Sequence, residues 1–309
     1  MAAIDCGTNS VRLLVADLPE SGDGELADLT RRMEIVRLGE GVDRTGRLAP
    51  QALARTGAAL ADYAAEIRRL GAERVRMVAT SASRDAANAD EFTAMVHDTL
   101  GIAPEVISGD EEARLSYLGA VRGLPASARP PYLVADIGGG STELVTGGQE
   151  VRHAVSVDIG CVRMTERHLH DDPPTPTQVA AAEADIEAAV RPALAAVGGL
   201  STGGAAAGTL VGLAGSVTTV AALALGLPAY QPERIHHARI GYRQVAKVTA
   251  DLLGMSREQR LALPVMHPGR ADVIAGGAMI LRIVMAIAGA AEVIASEHDI
   301  LDGIAWSLG

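Results

Sequence analysis

Two stretches of the chain show the same pattern of apolar and polar positions. Residues 2–18 read AAIDCGTNSVRLLVADL and residues 133–147 read LVADIGGGSTELVTG. Each has an apolar run that ends in an aspartate, then a turn of glycine and small polar residues, then a second apolar run. Short apolar runs on either side of such a turn are typical of β-hairpins. The pattern therefore predicts a hairpin near the start of each half of the chain.

The two predicted hairpins align residue by residue. When Asp5 is placed on Asp136, the first glycines and the serines of the two turns also coincide, and Arg12 falls on Glu143. A single hairpin is explained by the needs of any tight turn. Two copies in register, one in each half, favour an internal repeat with a shared role.

The rest of the pattern predicts an alternation of helices and strands. The spacing of apolar residues predicts helices at 50–70 and 177–197 and a strand at 75–79. Residues 211–227 carry no charge and have the minimum length for a membrane span. Their glycines, serine and threonines favour a buried strand–turn–helix instead. We therefore predict no association with a membrane.

The length of the chain and a proline-rich segment predict two domains. The 309 residues suit two domains of about 100–200 residues each. Residues 123–131, rich in proline and small residues, are the clearest linker. We predict an α/β fold with an N-terminal domain at 1–123 and a C-terminal domain at 124–309. The last helix is expected either in the second domain or packed back on the first.

Composition and charge exclude some classes of function. The net charge is −11 and Lys247 is the single lysine, so the chain lacks the basic face of a general nucleic-acid binder. Such a protein can bind a phosphate polymer only through local arginines, backbone N–H groups and a divalent cation. Cys6 and Cys161 form no CxxC pattern, which favours a reducing cytoplasm. Asp5 and Arg12 interrupt the N-terminal apolar run, so no signal peptide is expected.

The two turns have the chemistry of an anion site. Successive backbone N–H groups in a turn of small residues form a concavity that binds anions. The glycines let phosphate oxygens approach the backbone, and the hydroxyl side chains add donors. The candidate phosphate ligands in the turns are Gly7, Thr8, Ser10, Gly138, Gly139, Gly140, Ser141 and Thr142.

The charged residues near these turns suggest unequal roles. Asp5 and Asp136 would repel a phosphate directly, so they make sense only with a bridging Mg²⁺ ion or a water network. Arg12 brings a cation close to the anion in the first turn. Glu143, at the matching position of the second, is suited to a metal.

Two further segments are candidate phosphate ligands. Arg84 lies in the segment TSASRD after the strand at 75–79, and a guanidinium suits phosphate, although such a segment usually only caps a helix. Gly215 and Ser216 precede a predicted helix, and a Gly-Ser turn at a helix N-terminus also binds anions. The histidines, among them His267 and His298, show no metal-ligand spacing and are predicted to be surface or structural residues.

Two interpretations of Glu112 are open from the sequence. The segment from Ser108 reads SGDEEA, and Ser108 with Glu111 fits a capping box, which gives Glu111 a structural role. Glu112 is turned by about 100° around the helix and needs another explanation. It is either a solvated surface charge or a general base at the mouth of a site.

Seven ordered motifs carry a family resemblance across nearly the whole chain. They are DCGTNSVRLL, ATSASRDAAN, ISGDEEARLSYLG, DIGGGSTEL, SVDIGCVRMTER, LAGSVTTVAAL and SEHDILDGIAW. The chain resembles the exopolyphosphatase/guanosine pentaphosphate phosphatase family of the actin-like (ASKHA) ATPase superfamily. Its length is similar to the short form of the family, and a few native N-terminal residues are expected to be missing. The resemblance implies two ribonuclease-H-like domains with a cleft between them.

The resemblance also implies roles for individual residues. Glu112 matches the family's catalytic carboxylate, and Glu143 the carboxylate associated with the metal and the attacking water. Asp5 and Asp136 match metal or water-network positions. Phosphate contacts are implied for Asn9, Arg12, Arg84 and the small residues of both turns.

The leading hypothesis is a phosphoric-anhydride hydrolase. It would remove the terminal phosphate of inorganic polyphosphate, with Mg²⁺ or another divalent cation as cofactor and with short chains preferred. A pppGpp 5′-phosphohydrolase, an ATP-dependent kinase of the same superfamily and a non-catalytic sensor of polyphosphate or (p)ppGpp are the alternatives. A homodimer is expected from the apolar helices of the second domain.

Overall fold

The structure is a computed structural model that describes residues 1–19, 26–199 and 208–309. The chain divides into two units, the first formed by Met1–Gly123 with Ile300–Gly309 and the second by Leu124–Asp299. The chain leaves the first unit at Gly123, the first residue of the predicted linker. Its last ten residues return to that unit, and each unit is described by itself below.

The elements of the described residues follow in chain order. The first unit contains β1 (Ala2–Cys6), β2 (Ser10–Asp17), β3 (Ala27–Ile35), α1 (Val42–Thr45), α2 (Pro50–Leu70), β4 (Val75–Ala79), α3 (Ser81–Asp85), α4 (Ala89–Leu100), β5 (Glu105–Val106) and α5 (Gly109–Val121). The second unit contains β6 (Tyr132–Ile137), β7 (Thr142–Gly147), β8 (Val151–Val157), α6 (Cys161–His168), α7 (Pro176–Ala196), β9 (Thr209–Leu213), α8 (Ala214–Ala224), α9 (Pro232–Ile235), β10 (Arg239–Gly241), α10 (Tyr242–Gly254), α11 (Arg257–Leu261), a 3₁₀ turn (Pro268–Arg270), α12 (Ile274–Ala288) and β11 (Glu292–Ala295). Helix α13 (Ile300–Trp306) belongs to the first unit.

The two sheets repeat one topology. The first has the strand order β3-β2-β1-β4-β5, in which β1 pairs antiparallel with β2 and parallel with β4. In the second sheet the run β8-β7-β6-β9-β11 has the same order and the same strand directions, and β10 adds an antiparallel edge strand. The predicted α/β class with two ribonuclease-H-like units is confirmed.

Strand composition follows from position in the sheet. Every residue of β1 is buried, as expected for a central strand covered on both faces, which selects a nearly continuous apolar sequence. Asp5 is the charged exception. The edge strand β3 is largely exposed and correspondingly rich in charged residues. A buried aspartate at the end of an otherwise apolar strand therefore needs a partner, which the site provides.

The predicted bounds of α2 and β4 agree with the structure. Helix α2 begins at Pro50, whose missing N–H costs nothing at a first position, and it ends before Gly71, which adopts a left-handed φ of 69°. On its buried face, the Tyr63 hydroxyl donates to the Val11 carbonyl of β2 at 3.0 Å. This bond fixes the helix against the strand that carries Arg12.

The uncharged segment 211–227 is a strand followed directly by a helix. The turn predicted between them is reduced to the start of α8, where Ala214 has a left-handed φ of 66°. Across residues 1–19, 26–199 and 208–309, no helix combines the length and the apolar character that a membrane crossing requires.

The core of the second unit forms around α12. Nearly all residues of this helix are buried, and it packs against α6, α7, α8 and α10. A Cβ atom on Gly276 would lie 3.0 Å from the Cys161 carbonyl oxygen and 3.0 Å from the Thr165 hydroxyl. The glycine thus lets α12 approach α6 closely, and α6 in turn supports one of the predicted phosphate turns.

Candidate active site

The first turn connects β1 to β2 and is held from behind. Within it, the Gly7 N–H donates to the Ser10 carbonyl at 2.9 Å. The Thr8 carbonyl accepts from the Gly39 N–H at 2.8 Å, and the Asn9 carbonyl accepts from two backbone N–H groups at the end of β3 at 2.9 and 3.1 Å. The turn residues predicted to bind phosphate therefore lie in one hydrogen-bonded loop.

This arrangement directs N–H groups outward. In a planar trans peptide, the C=O of one residue and the N–H of the next point in opposite directions. Because the Thr8 carbonyl is held by Gly39, the Asn9 N–H points away from the protein backbone behind it. Among the described residues, the N–H groups of Thr8 and Asn9 have no protein acceptor. The first turn thus presents two donors to an anion.

The second turn, between β6 and β7, repeats this geometry. The Gly138 N–H donates to the Ser141 carbonyl at 3.1 Å. The first three residues of α6 donate their backbone N–H groups to the carbonyls of Gly138 and Gly139 at 2.9 to 3.1 Å. The N–H groups of Gly139 and Gly140 consequently point outward and, in the described part of the chain, donate to no protein group. Two pairs of equivalent N–H groups therefore come from the two halves of the repeat.

Gly160 makes the support of the second turn possible. It precedes α6, and a Cβ atom at this position would overlap the Gly139 carbonyl and lie 2.6 Å from the Gly140 nitrogen. The atoms in the way are backbone atoms, which cannot rotate aside. Only glycine lets α6 reach the carbonyls of the turn.

The hydroxyl side chains of the turns are partly engaged within the protein. The hydroxyl oxygens of Thr8 and Ser81 are hydrogen bonded to each other at 2.8 Å. Thr142 donates its single hydroxyl proton to the Ile159 carbonyl at 2.7 Å. The hydroxyl proton of Thr142 is therefore not available to a phosphate oxygen, and its predicted phosphate contact stays a prediction.

In the first hairpin, Asp5 faces Arg12 across the strand pair. Arg12 donates from Nε and Nη2 to Asp5 Oδ2 at 2.9 and 2.7 Å, and both side chains are largely buried. The sequence had suggested a metal ligand in Asp5 and an anion contact in Arg12. The structure pairs the two charges, so Asp5 holds and orients the guanidinium.

In the second hairpin, the matching positions are both acidic. Asp136 on β6 faces Glu143 on β7, with 7% and 1% of their surfaces exposed. Glu143 also faces Ser156 on β8, whose hydroxyl donates to Glu143 Oε1 at 2.6 Å. Like charges directly opposite in a sheet are destabilising. A proton or a bound cation would offset this repulsion, as the Arg12 guanidinium offsets the charge of Asp5 in the first hairpin.

The donor set of this pair suits a hard divalent cation. Carboxylate and hydroxyl oxygens are the ligands that Mg²⁺ prefers, and Mg²⁺ is usually bound through one or two carboxylates plus substrate phosphates and waters. Within the described ranges, no group of three His, Cys, Asp or Glu side chains converges on one metal position. Asp136 and Glu143 offer two carboxylates to a cation, and their predicted role as metal ligands, with Asp5, stays a prediction.

Glu112 lies at the start of α5 and is buried. Its side chain is paired with Arg84, whose Nη1 donates to Glu112 Oε2 at 3.2 Å and to the Ile107 carbonyl at 2.9 Å. In the described part of the chain, Arg84 Nε and Nη2 have no protein acceptor. The structure therefore brings together the predicted base and a predicted phosphate ligand, and the reading of Glu112 as a solvated surface charge is wrong.

The cap of α5 differs in one detail from the predicted box. Ser108 accepts from the Glu111 N–H at 3.2 Å, as predicted. The Glu111 carboxylate instead accepts from Arg76 Nη2 at 2.9 Å. The cap still orients the helix so that Glu111 faces outward and Glu112 inward.

Arg270 is a candidate residue that the sequence did not reveal. Its guanidinium lies flat on Gly215, where a Cβ atom would overlap it, and Nη1 lies 3.5 Å from the Gly215 carbonyl oxygen and 3.4 Å from Thr219 Oγ1. Ser216 is buried against Gly277. An arginine in a Pro-Gly turn 55 residues from Gly215 has no sequence spacing that connects it with the start of α8.

The predicted structural roles of the histidines fit their contacts. His298 stacks on His236 with ring centroids 4.4 Å apart, and His267 Nδ1 accepts from the Gly269 N–H at 3.1 Å.

Burial raises the pKa of the Cys161 thiol, against the opposing effect of a hydrogen bond with Ser216. A thiol in this state is a poor nucleophile.

The support of the second turn predicts the effect of Gly160→Ala. We expect this variant to be less stable than wild type by about 1–3 kcal/mol, because the new methyl group collides with backbone atoms. Its thermal unfolding midpoint should be lower. It should also bind tripolyphosphate more weakly in calorimetric titration. Gly148→Ala is the control, since no atom lies within 4 Å of the added Cβ. Tripolyphosphate binding equal to wild type in Gly160→Ala would contradict the role of this turn.

Comparison with known proteins agrees with this geometry. Residues 18–308 match the Ppx/GppA phosphatase family. The chain is 52% identical to Exopolyphosphatase 2 of Mycobacterium tuberculosis over 318 residues, which cover 100% of this chain and 98% of the relative.

Two solved structures are also similar. One is an exopolyphosphatase-like protein with a TM-score of 0.93 and 41% identity, covering 100% of this chain and 98% of the other. The second is the Aquifex aeolicus member of the Ppx/GppA family, with a TM-score of 0.81 and 33% identity, covering 99% and 96%. The sequence match and the shared fold lead to one conclusion: the chain belongs to the Ppx/GppA phosphatase family.

Proposed function

We propose that the protein is an exopolyphosphatase that hydrolyses the terminal phosphate of inorganic polyphosphate. The observation that carries this proposal is the second hairpin, where two outward N–H groups lie beside a buried pair of facing carboxylates. A site that combines anion donors with a cation-binding pair suits a substrate that is itself a chelating polyanion. The similarity to Exopolyphosphatase 2 of Mycobacterium tuberculosis supports the choice of substrate.

The second unit would bind the phosphoryl group and its counterion. The N–H groups of Gly139 and Gly140 donate to phosphate oxygens. Asp136 and Glu143 would hold Mg²⁺, which when bound neutralises charge on the phosphoryl oxygens. Ser156 fixes the orientation of Glu143 through its hydrogen bond to Oε1.

Glu112 would be the general base. Glu112 orients a water molecule and accepts its proton as the water oxygen attacks phosphorus and the bridging P–O bond breaks. The products are orthophosphate and a chain shortened by one phosphate. Arg84 holds the Glu112 carboxylate through Nη1, and its Nε and Nη2 are available to phosphate oxygens.

Arg12 would contact phosphate from a fixed position. Its Nε and Nη2 are engaged by Asp5, so its approach to an anion is set by the strand pair rather than by a flexible side chain. Arg270 would add a second guanidinium, held by its packing on Gly215. The homodimer and the cytoplasmic location stay predictions from the sequence.

The direct test of the proposed function is phosphate release measured side by side on four substrates. These are short polyphosphate, long polyphosphate, pppGpp and ATP, each with Mg²⁺. We expect kcat/KM to be highest for polyphosphate. A clear preference for pppGpp would identify the protein as a pppGpp 5′-phosphohydrolase instead. Binding without phosphate release would identify it as a sensor.

The role of Glu112 predicts that Glu112→Gln loses most of its turnover. Removal of a general base typically costs about 10²–10⁴-fold in rate, and the neutral amide should leave substrate binding intact. Steady-state phosphate release and a binding titration check these two expectations. Asp110→Asn is the matched control, because Asp110 lies in the same helical turn, is exposed and forms an ion pair with Arg114. Wild-type turnover in Glu112→Gln would overturn the assignment of the base.

A further inference from the structure

Helix α13 touches the backbone of the helix that carries Glu112. It is the last helix of the chain and packs extensively on α5. At their closest point, a Cβ atom on Gly303 would overlap the Leu115 carbonyl and lie 3.0 Å from the Leu115 Cα. Real Cβ atoms do not approach backbone so closely. The two helices are therefore in direct backbone contact at Gly303.

The contact lies one turn away from Glu112. Residues three apart in an α-helix are neighbours on one side of it, so Leu115 lies next to Glu112 along α5. Backbone in a helix moves as a unit because its hydrogen bonds join successive turns. A displacement of α5 at Leu115 would therefore carry the Glu112 carboxylate with it and change its distance from Arg84.

The position of α13 is itself fixed by a buried ion pair. Asp302 is 2% exposed and accepts from Arg31 Nη1 and Nη2 at 3.1 and 2.6 Å. Arg31 lies on β3 and is also held by Asp28 at 2.9 Å. Ile300, Leu301 and Ile304 complete the attachment by packing into one apolar cluster with Leu14 and Leu115. Helix α13 is thus anchored to the sheet before it meets α5.

Further contacts join both ends of α5 to the C-terminal end of α13. Arg76 on β4 donates from Nη2 to Glu111 at 2.9 Å and from Nη1 to the Ser307 hydroxyl at 2.7 Å. The Arg122 guanidinium, just after α5, lies 3.7 Å from the centroid of the Trp306 ring. A cation above an aromatic ring is attractive. Both contacts reach α13 after Gly303, and along α5 they lie before and after Leu115.

We propose that α13 is a positioning helix for Glu112 and that Gly303 is its determining residue. Because Gly303 has no side chain, α5 packs directly against the backbone of α13. The Asp302–Arg31 pair holds α13 in place on the sheet, and so fixes the position of α5. This inference rests on the proposed function, since it assumes that Glu112 is the base. In this proposal Gly303 and Asp302 act through the placement of α5.

The test is a double-mutant cycle between Gly303→Ala and Glu112→Gln. Alanine is the better helix former, so a loss in Gly303→Ala cannot come from helix propensity. We expect kcat for phosphate release to fall by about 10–100-fold, the effect of a displacement near 1 Å, with KM within about twofold of wild type. In the Glu112→Gln background the same substitution should cause no further loss, because the group that it displaces is already inactive.

Gly57→Ala is the matched control for this cycle. Gly57 lies in α2 of the same unit, and its added Cβ would meet only the flexible side chain of Met95 at 3.2 Å. We expect kcat in this variant within about twofold of wild type. If Gly303→Ala does not fold, Asp302→Asn replaces it in the same cycle. We then expect a several-fold lower kcat in the presence of Glu112 and no further loss in the Glu112→Gln background.

The outcomes separate this inference from the proposed function. Wild-type turnover in Glu112→Gln would refute the proposed base. If Glu112→Gln loses turnover but a folded Gly303→Ala keeps wild-type kcat, only the positioning inference fails. Losses that multiply in the double variant would also overturn it, because they would show that Gly303 acts independently of Glu112.

Discussion

The residue that faces the strand-end aspartate determines what each half of the repeat can do. In the first hairpin Asp5 faces Arg12, and the two charges neutralise each other in a buried ion pair. In the second hairpin Asp136 faces Glu143, and both are buried carboxylates. The backbone hydrogen bonds of the two hairpins correspond, so one side-chain difference separates a hairpin whose aspartate is paired with a guanidinium from one whose aspartate faces a second carboxylate.

The two turns depend on support from behind. Another segment holds carbonyls of each turn and so directs the N–H groups of the same peptides outward. Gly39 holds the Thr8 carbonyl in the first unit, and the start of α6 holds the carbonyls of Gly138 and Gly139 in the second. This support in turn depends on close packing, for which Gly160 has no side chain and Gly276 brings α12 against α6. Electrostatic catalysis relies on donors that are oriented before the substrate arrives. The glycines of the fold thus hold the N–H donors of the second turn in place through close packing.

Much of this architecture could be predicted from the sequence because it is local. The in-register repeat predicted both hairpins, and the cap at Ser108 correctly separated Glu111 from Glu112. The pairing of Asp5 with Arg12 was also within reach, because the turn closed by Gly7 and Ser10 sets the register. Longer-range contacts carried no such signal. Arg84 meets Glu112 across 28 residues, and Arg270 meets Gly215 across 55, through packing that no local spacing encodes.

The most direct test of the unequal hairpins is the thermal unfolding midpoint as a function of Mg²⁺ concentration, for wild type and for Glu143→Gln. Glutamine keeps an oxygen that can accept from Ser156 but removes one of the two facing charges. We predict that Mg²⁺ raises the unfolding midpoint of wild type, as any ligand of the folded state does. At a Mg²⁺ concentration of about 100 times Kd, the free energy of unfolding should increase by about 2.7 kcal/mol. In Glu143→Gln the rise should be absent or greatly reduced. An equal Mg²⁺-dependent rise in both proteins would contradict the account, because the cation would then bind without the carboxylate pair.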